Sequence, residues 1–151
     1  MMPRSKKSQS NEVLLRKDMK HRATLNGYIK YYEDLLSEKV KLNKLVRELC
    51  LLRDKCCLRC GKTATLQASH IYPKGKFPKM QFNPDNVKIL CLGCHLYWWH
   101  RHPIEAKEWA EKTLGKVRLN RLKKQSNTIN KTIWEFKEIQ SELKKQIGEL
   151  I

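Results

Sequence analysis

Two Cys-x-x-Cys pairs, Cys57-Leu58-Arg59-Cys60 and Cys91-Leu92-Gly93-Cys94, constrain the fold of this chain more than any other feature. Four thiolates in two such pairs form the ligand set of a closed tetrahedral zinc site, and soft sulfur donors favour zinc over magnesium or calcium. With every coordination position filled by protein, the zinc is structural. The two pairs must meet in space, so the segment between them has to fold back as a compact unit. That segment carries Ser69-His70-Ile71 and Asn86, and His95 follows the last cysteine directly. Any chemistry is therefore expected from what the zinc clamps: His70, Asn86 and His95. Cys50 and Cys56 are left over. Pairing Cys56 with Cys60 breaks the two-residue spacing, and Cys50 falls in a helical pattern as a buried residue.

The chain is strongly basic, with 32 Lys and Arg against 15 Asp and Glu and a net charge of +17 over 151 residues. Such a balance suits a polyanion, nucleic acid first. Between Lys55 and His102 the one acidic residue is Asp85, which excludes the paired carboxylates of an acid-based two-metal nuclease. No stretch approaches the roughly 20 apolar residues of a membrane span, and Met1 to Asn11 lacks the apolar core of a signal peptide. Six cysteines without such a signal are expected as metal ligands in a reducing, cytoplasmic setting.

Four segments are expected: a basic, disordered leader (1–22), an amphipathic helix (23–54), the cysteine module (55–102) and a helical extension (103–151). The first helical seam runs Tyr28, Tyr31, Leu35, Leu42, Leu45, Leu49, Leu52, interrupted by Glu38. The second runs Leu119, Leu122, Ile129, Ile133, Phe136, Leu143, Ile147, Leu150, with Ser126 and Gln140 on the same line. These helices pack on each other or on the module, or pair two copies of the chain through a heptad seam. Within the module, 65–71 and 87–90 are expected as strands around a Pro- and Gly-bearing loop. A short helix opens at Cys94 and stops before Pro103. A further helix covers 103–114, with proline in its first turn and Gly115 at its end.

Strand, loop, strand and helix, with Ser69-His70-Ile71-x-Pro73 and then Asn86-Val87-x-x-Leu90-Cys91-x-x-Cys94-His95, resemble the His-Me finger (HNH) endonucleases. The resemblance implies an α+β fold, a zinc-stapled ββα-metal core between long amphipathic helices. It implies that His70 is a general base, that Asn86 braces the loop carrying it, and that His95 holds a catalytic divalent cation, magnesium or manganese. A neutral imidazole can take the proton of an attacking water near pH 7. A cation can neutralise the phosphoryl oxygens and the departing 3′ oxygen, leaving 5′-phosphate and 3′-hydroxyl ends. The pattern departs at Ser69, where many members place a metal-binding Asp or His, and at Trp99, where others place a second helix histidine. Asp85, His100 and His102 are the remaining candidate ligands. On a regular α-helix His100 is rotated away from His95, and His102 shares its face about two turns along.

Phe77-Pro78-x-Met80-x-Phe82-Asn83-x-x-Asn86, the basic loop after His70 and a helical extension with Trp134 are similar to the NinG (Rap) phage recombination endonucleases, from Arg47 to Leu150. That resemblance implies a phage protein at work in a bacterial cytoplasm on branched DNA such as Holliday junctions. It departs at His95, where such proteins often carry Asn. Lys74, Lys76 and Lys79 near the base, with Lys88 and Arg101, are the expected phosphate contacts. Tyr97, Trp98 and Trp99 are candidates for stacking on unpaired bases or for filling the core. Two rival readings are a non-catalytic zinc module that binds DNA and a homing or restriction-like nuclease.

Overall fold

The computed structural model describes residues 6–125 and 133–151, with side chains described from 23 to 124 and from 135 to 151. Ser126, Ile129, the side chain of Ile133 and the indole of Trp134 lie outside these. The chain divides into two units, residues 1–37 and 38–151. Helix α1, Lys6–Asp54, contributes to both. It begins well inside the segment expected as a disordered leader, because neither proline nor glycine stands between Pro3 and Gly27 to interrupt good helix formers. In the first unit Leu25, Tyr28, Ile29, Tyr31, Tyr32 and Leu36 are all exposed, and the rings of Tyr31 and Tyr32 meet edge to face at 5.7 Å.

In the second unit α1 buries Leu42, Val46, Leu49 and Cys50. Steps of three and four put them on one stripe, rotated from the expected seam, whose Leu45 and Leu52 are only half-buried. Strands β1 (Leu66–His70) and β2 (Val87–Cys91) pair antiparallel, with Leu66 opposite Cys91 and His70 opposite Val87. Every residue of β2 is buried, so the strand is covered on both faces. Its outer edge is closed as well. Arg53 donates from Nη2 to the Val87 carbonyl at 2.7 Å, the Ile89 N–H donates to the Asp54 carboxylate at 2.9 Å, and the Leu58 N–H donates to the Ile89 carbonyl at 3.0 Å. An edge whose donors and acceptors are all engaged cannot template another strand.

After β2 comes a π-helical segment, Cys94–Trp99. Helix α2, Pro103–Leu114, follows and ends at Gly115, whose φ of 83° lies in the left-handed region open to glycine. Helices α3 (Lys116–Gln125) and α4 (Ile133–Gly148) divide the second expected seam. α4 buries Phe136, Leu143 and Ile147, and Phe136 meets Phe82 edge to face at 5.4 Å. The polar breaks in the two seams meet each other: Gln140 donates its amide to the Glu38 carboxylate. No helix among the described residues is long and apolar enough to cross a membrane.

Candidate functional site

The cysteine module is built around a turn and a helix start. Gly61, at φ 74°, takes the left-handed conformation that closes the first Cys-x-x-Cys loop; its N–H donates to the Cys57 carbonyl at 2.8 Å, and the Cys57 N–H to that of Lys62 at 2.8 Å. The second pair joins the end of β2 to the π-helical segment. The Sγ atoms of Cys57, Cys60, Cys91 and Cys94 all lie within 4.8 Å of one another, and Cys60 and Cys91 approach to 3.7 Å. Four thiolates about 2.3 Å from a tetrahedral zinc sit roughly 3.8 Å apart, so the donor set and its spacing fit zinc. Cys57, not Cys56, is the member of the first pair, as its spacing required. Burial pushes the Cys57 thiol up, but the N–H groups of Cys91, Cys60 and Arg59 outweigh it and bring the group down to about 7. Cys50 is fully buried, and burial pushes its thiol up to about 11.

Asn86, also fully buried, ties together the two ends of the loop after His70. Its Oδ1 accepts the Tyr72 N–H at 2.8 Å, and its Nδ2 donates to the carbonyls of Tyr72 and Met80, each at 3.0 Å. The Ile71 N–H closes the bracket by donating to the Asn86 carbonyl at 2.8 Å. Two guanidiniums then grip the turn that carries Asn86. Arg53 from α1 donates to the Pro84 carbonyl at 2.9 Å, and Arg118 from α3 to those of Asp85 at 2.7 Å and Val87 at 2.9 Å.

The same bracket orients His70. Its Nε2 lies 3.0 Å from the Gln81 carbonyl. A carbonyl only accepts, so Nε2 carries the proton and Nδ1 keeps the lone pair. Desolvation, with Lys74 and Lys88 nearby, holds the His70 pKa below the usual imidazole value against the pull of the Gln81 carbonyl. The ring is neutral at pH 7, with a basic nitrogen available. A cavity of about 520 Å³ brings His70 together with His95, Lys74, Gln67, Asn43 and Arg47.

On the other side of that cavity, His95 Nδ1 donates to Gln67 Oε1 at 2.7 Å, which leaves Nε2 as its acceptor nitrogen. His100 Nε2 stands 3.0 Å from it. This pairing corrects the expectation that the two rings point apart. In an α-helix residues five apart are rotated by about 140°, but a π-helix closes its hydrogen bonds at i→i+5 and so stacks them. Two donors each about 2.1 Å from one octahedral ion, at right angles, lie about 3.0 Å apart, so the pair fits a divalent cation. Burial, with His100, Lys88 and His70 nearby, holds His95 below the usual imidazole range, neutral and able to ligate.

One family model, that of the bacteriophage lambda NinG protein, matches the chain across residues 3–151. The chain belongs to the NinG family. No curated protein and no solved structure matches it significantly.

Three candidates in this NinG chain stand elsewhere than expected. Lys88, an expected phosphate contact, is fully buried. Its Nζ donates to Ser69 Oγ at 3.3 Å and to the His70 carbonyl at 3.4 Å, and sits 3.1 Å from the centre of the Trp99 ring. It cannot meet a phosphate there. Asp85 turns its carboxylate to Arg121, 3.3 Å away, and Arg118, 4.0 Å away, and does not line the histidine cavity. His102 stands at the start of α2 beside a separate groove with Arg101 and Glu105. Ser69 is fully buried against Lys88 and offers no ligand to the cavity.

The other candidates remain outside. Lys74 and Lys76 are exposed, Lys79 is half-buried, and exposed Arg101 lies 5.1 Å over the Tyr97 ring. Of the aromatic run, Trp98 fills the core, its indole N–H donating to Glu105 at 2.8 Å; Tyr97 is exposed and Trp99 half-buried. The sequence reading missed Arg47 and Gln67 of the NinG chain. Strand alternation would set Gln67 on the face opposite His70, yet both line the cavity, and nothing local marks Arg47, whose Nη2 donates to the Leu66 carbonyl at 3.2 Å.

Proposed function

We propose that this NinG-family chain is a metal-dependent DNA endonuclease of the His-Me finger type, a phage recombination enzyme that acts on branched DNA in the host cytoplasm. The observation that carries the reading is His70, its Nε2 held by the Gln81 carbonyl so that Nδ1 is its acceptor nitrogen, lining one cavity with His95 of the His95–His100 pair. His70 takes the proton of an attacking water at Nδ1. Asn86 does not touch substrate; it holds the Tyr72–Met80 loop, and with it the base, in place. His95 and His100 hold a magnesium or manganese ion, which supplies charge neutralisation at the phosphoryl and leaving oxygens. Lys74 and Arg47, on the rim of the same cavity, meet the phosphate backbone, helped by the loop lysines Lys76 and Lys79. Zinc in the four-cysteine site holds the π-helical segment, and so His95, against β2. The exposed Leu25, Tyr28, Tyr32 and Leu36 of α1 are the face through which two copies would pair.

The deciding experiment compares cleavage of Holliday junction, flap and linear duplex DNA in magnesium or manganese at equal salt. Wild-type protein is expected to cut branched DNA, and His70→Ala to lose about 100- to 10,000-fold in rate while still binding. Binding without cleavage in any metal would replace this reading with a non-catalytic zinc module. Sequence-specific cutting of linear duplex would replace it with a restriction-like nuclease.

A further inference from the structure

A second cavity, of about 590 Å³, lies between Ile71 and Tyr72, just past the end of β1, and helices α2 and α3. Tyr72 and Trp99 line it with aromatic surface, and Ala106 and Ala110, one helical turn apart on α2, leave it room. We propose that this cavity receives one unpaired nucleobase of the DNA substrate. The proposal deepens the DNA reading above and depends on its binding half alone.

Five observations carry it. The volume lies within the range of small-molecule sites and exceeds what one nucleobase fills. The Lys88 Nζ sits 3.1 Å from the centre of the Trp99 ring, and Trp98 and Trp109 meet that ring tilted and edge-on at 6.1 and 6.3 Å. Trp99 and Tyr72 are both half-buried and line the cavity, so ring surface faces it, and stacking suits any base because every base has a π-face. The exposed side chains of Asn120 and Glu111 line the same cavity, an amide and a carboxylate suited to the edge of a base that has lost its pairing partner. Lys107 lines it too, in a chain of net charge +17, so the backbone of an entering strand meets positive charge. Finally, Tyr72 is held by Asn86 through both its N–H and its carbonyl, so an occupant here stands at a fixed distance along the chain from His70.

The test uses two duplexes, one carrying a single unpaired 2-aminopurine as a bulge and one with the same base paired to thymine. Both are titrated with full-length zinc-loaded protein, without added magnesium or manganese. Stacking against Tyr72 or Trp99 is expected to quench the unpaired 2-aminopurine and to give the bulged duplex an affinity advantage of about tenfold. Ala110→Phe fills the cavity and should abolish both effects, leaving affinity for the paired duplex unchanged. Should that variant lose its zinc or its helical circular dichroism, Asn120→Tyr obstructs the cavity from an exposed position and should do the same. Unquenched fluorescence, or quenching that survives a folded variant of either kind, overturns the proposal. Cleavage plays no part in the measurement. A protein that prefers the bulge but never cuts keeps the pocket and loses the nuclease reading; one that cuts without the preference does the reverse.

Discussion

The two walls of the histidine cavity are built by different means. On the His70 side, rigidity comes from backbone hydrogen bonds to buried side chains: Asn86 alone satisfies three main-chain groups, and Arg53 and Arg118 converge on the carbonyls around it. On the His95 side there is a single π-helical turn, fastened at one end by Cys94 and along its length by His95 on Gln67 and Trp98 on Glu105. The first wall is over-determined by local polar contacts. The second depends on a cluster of thiols and on the pitch of one turn. The proposed general base needs a fixed tautomer, which the Gln81 carbonyl supplies; the proposed cation site needs two nitrogens brought together, which helix pitch supplies.

The sharpest way to break this contrast is to remove a thiolate. Cys94→Ser should release zinc and unfold the module cooperatively, because the binding energy of a structural zinc, on the order of 10 kcal/mol, is also folding energy. Elemental analysis and thermal melts check this, with about one zinc per chain expected for wild type. A melt unchanged after loss of zinc would mean that the second wall has another support.

Next in size is Asn86→Ala, which orphans the Tyr72 N–H and the carbonyls of Tyr72 and Met80. At about 1 to 3 kcal/mol for an unsatisfied buried group, partly relieved by water, the expected loss is about 3 kcal/mol in urea denaturation. Zinc content should not change, since the other wall is made separately.

Lys88→Met tests the seam between the walls, and its effect should be stabilising. Burial, and to a lesser degree Arg118, lowers the Lys88 pKa from 10.5 to about 6. The unfolded chain takes up this proton below about 10.5 and the fold only below about 6, so wild-type stability drops as pH falls through that window. Methionine removes the penalty. The variant should gain on the order of 2 kcal/mol at pH 7 and lose that advantage as pH approaches 10. An advantage that grows with pH would show that the ammonium is charged in the fold.

The smallest effect on stability is expected from His100→Ala, since His100 is exposed. Titration with manganese should show roughly tenfold weaker binding, as for loss of a metal-supporting contact, while His102→Ala and Asp85→Asn bind as wild type. Equal weakening in all three would dissolve the His95–His100 pair as a site.

Much of the module was legible because its signals are local. Cysteine spacing selected Cys57 over Cys56, alternation and turn residues located both strands to within a residue at each end, and Gly115 marked the end of α2. What escaped depended on geometry or on distant partners. The His95–His100 pairing was hidden because a 3.6-residue repeat was assumed where the chain takes a wider turn. Lys88 was read as exposed because lysines usually are, whereas both faces of β2 are covered and leave its one lysine inside. Asp85 looked available because nothing near it in sequence announces Arg121 on α3.

The hydrogen bond between Gln140 and Glu38 joins positions that leave the ribosome far apart in time. At about 5 to 20 residues per second, Gln140 follows Glu38 by roughly 5 to 20 seconds. During that interval Glu38 has no partner on α4, while both cysteine pairs are synthesised. The four thiols of the module are therefore available to a metal before α4 exists. Cells short of zinc during synthesis would hold a chain whose four thiols wait unligated before α4 is made, a target for oxidation and for proteases.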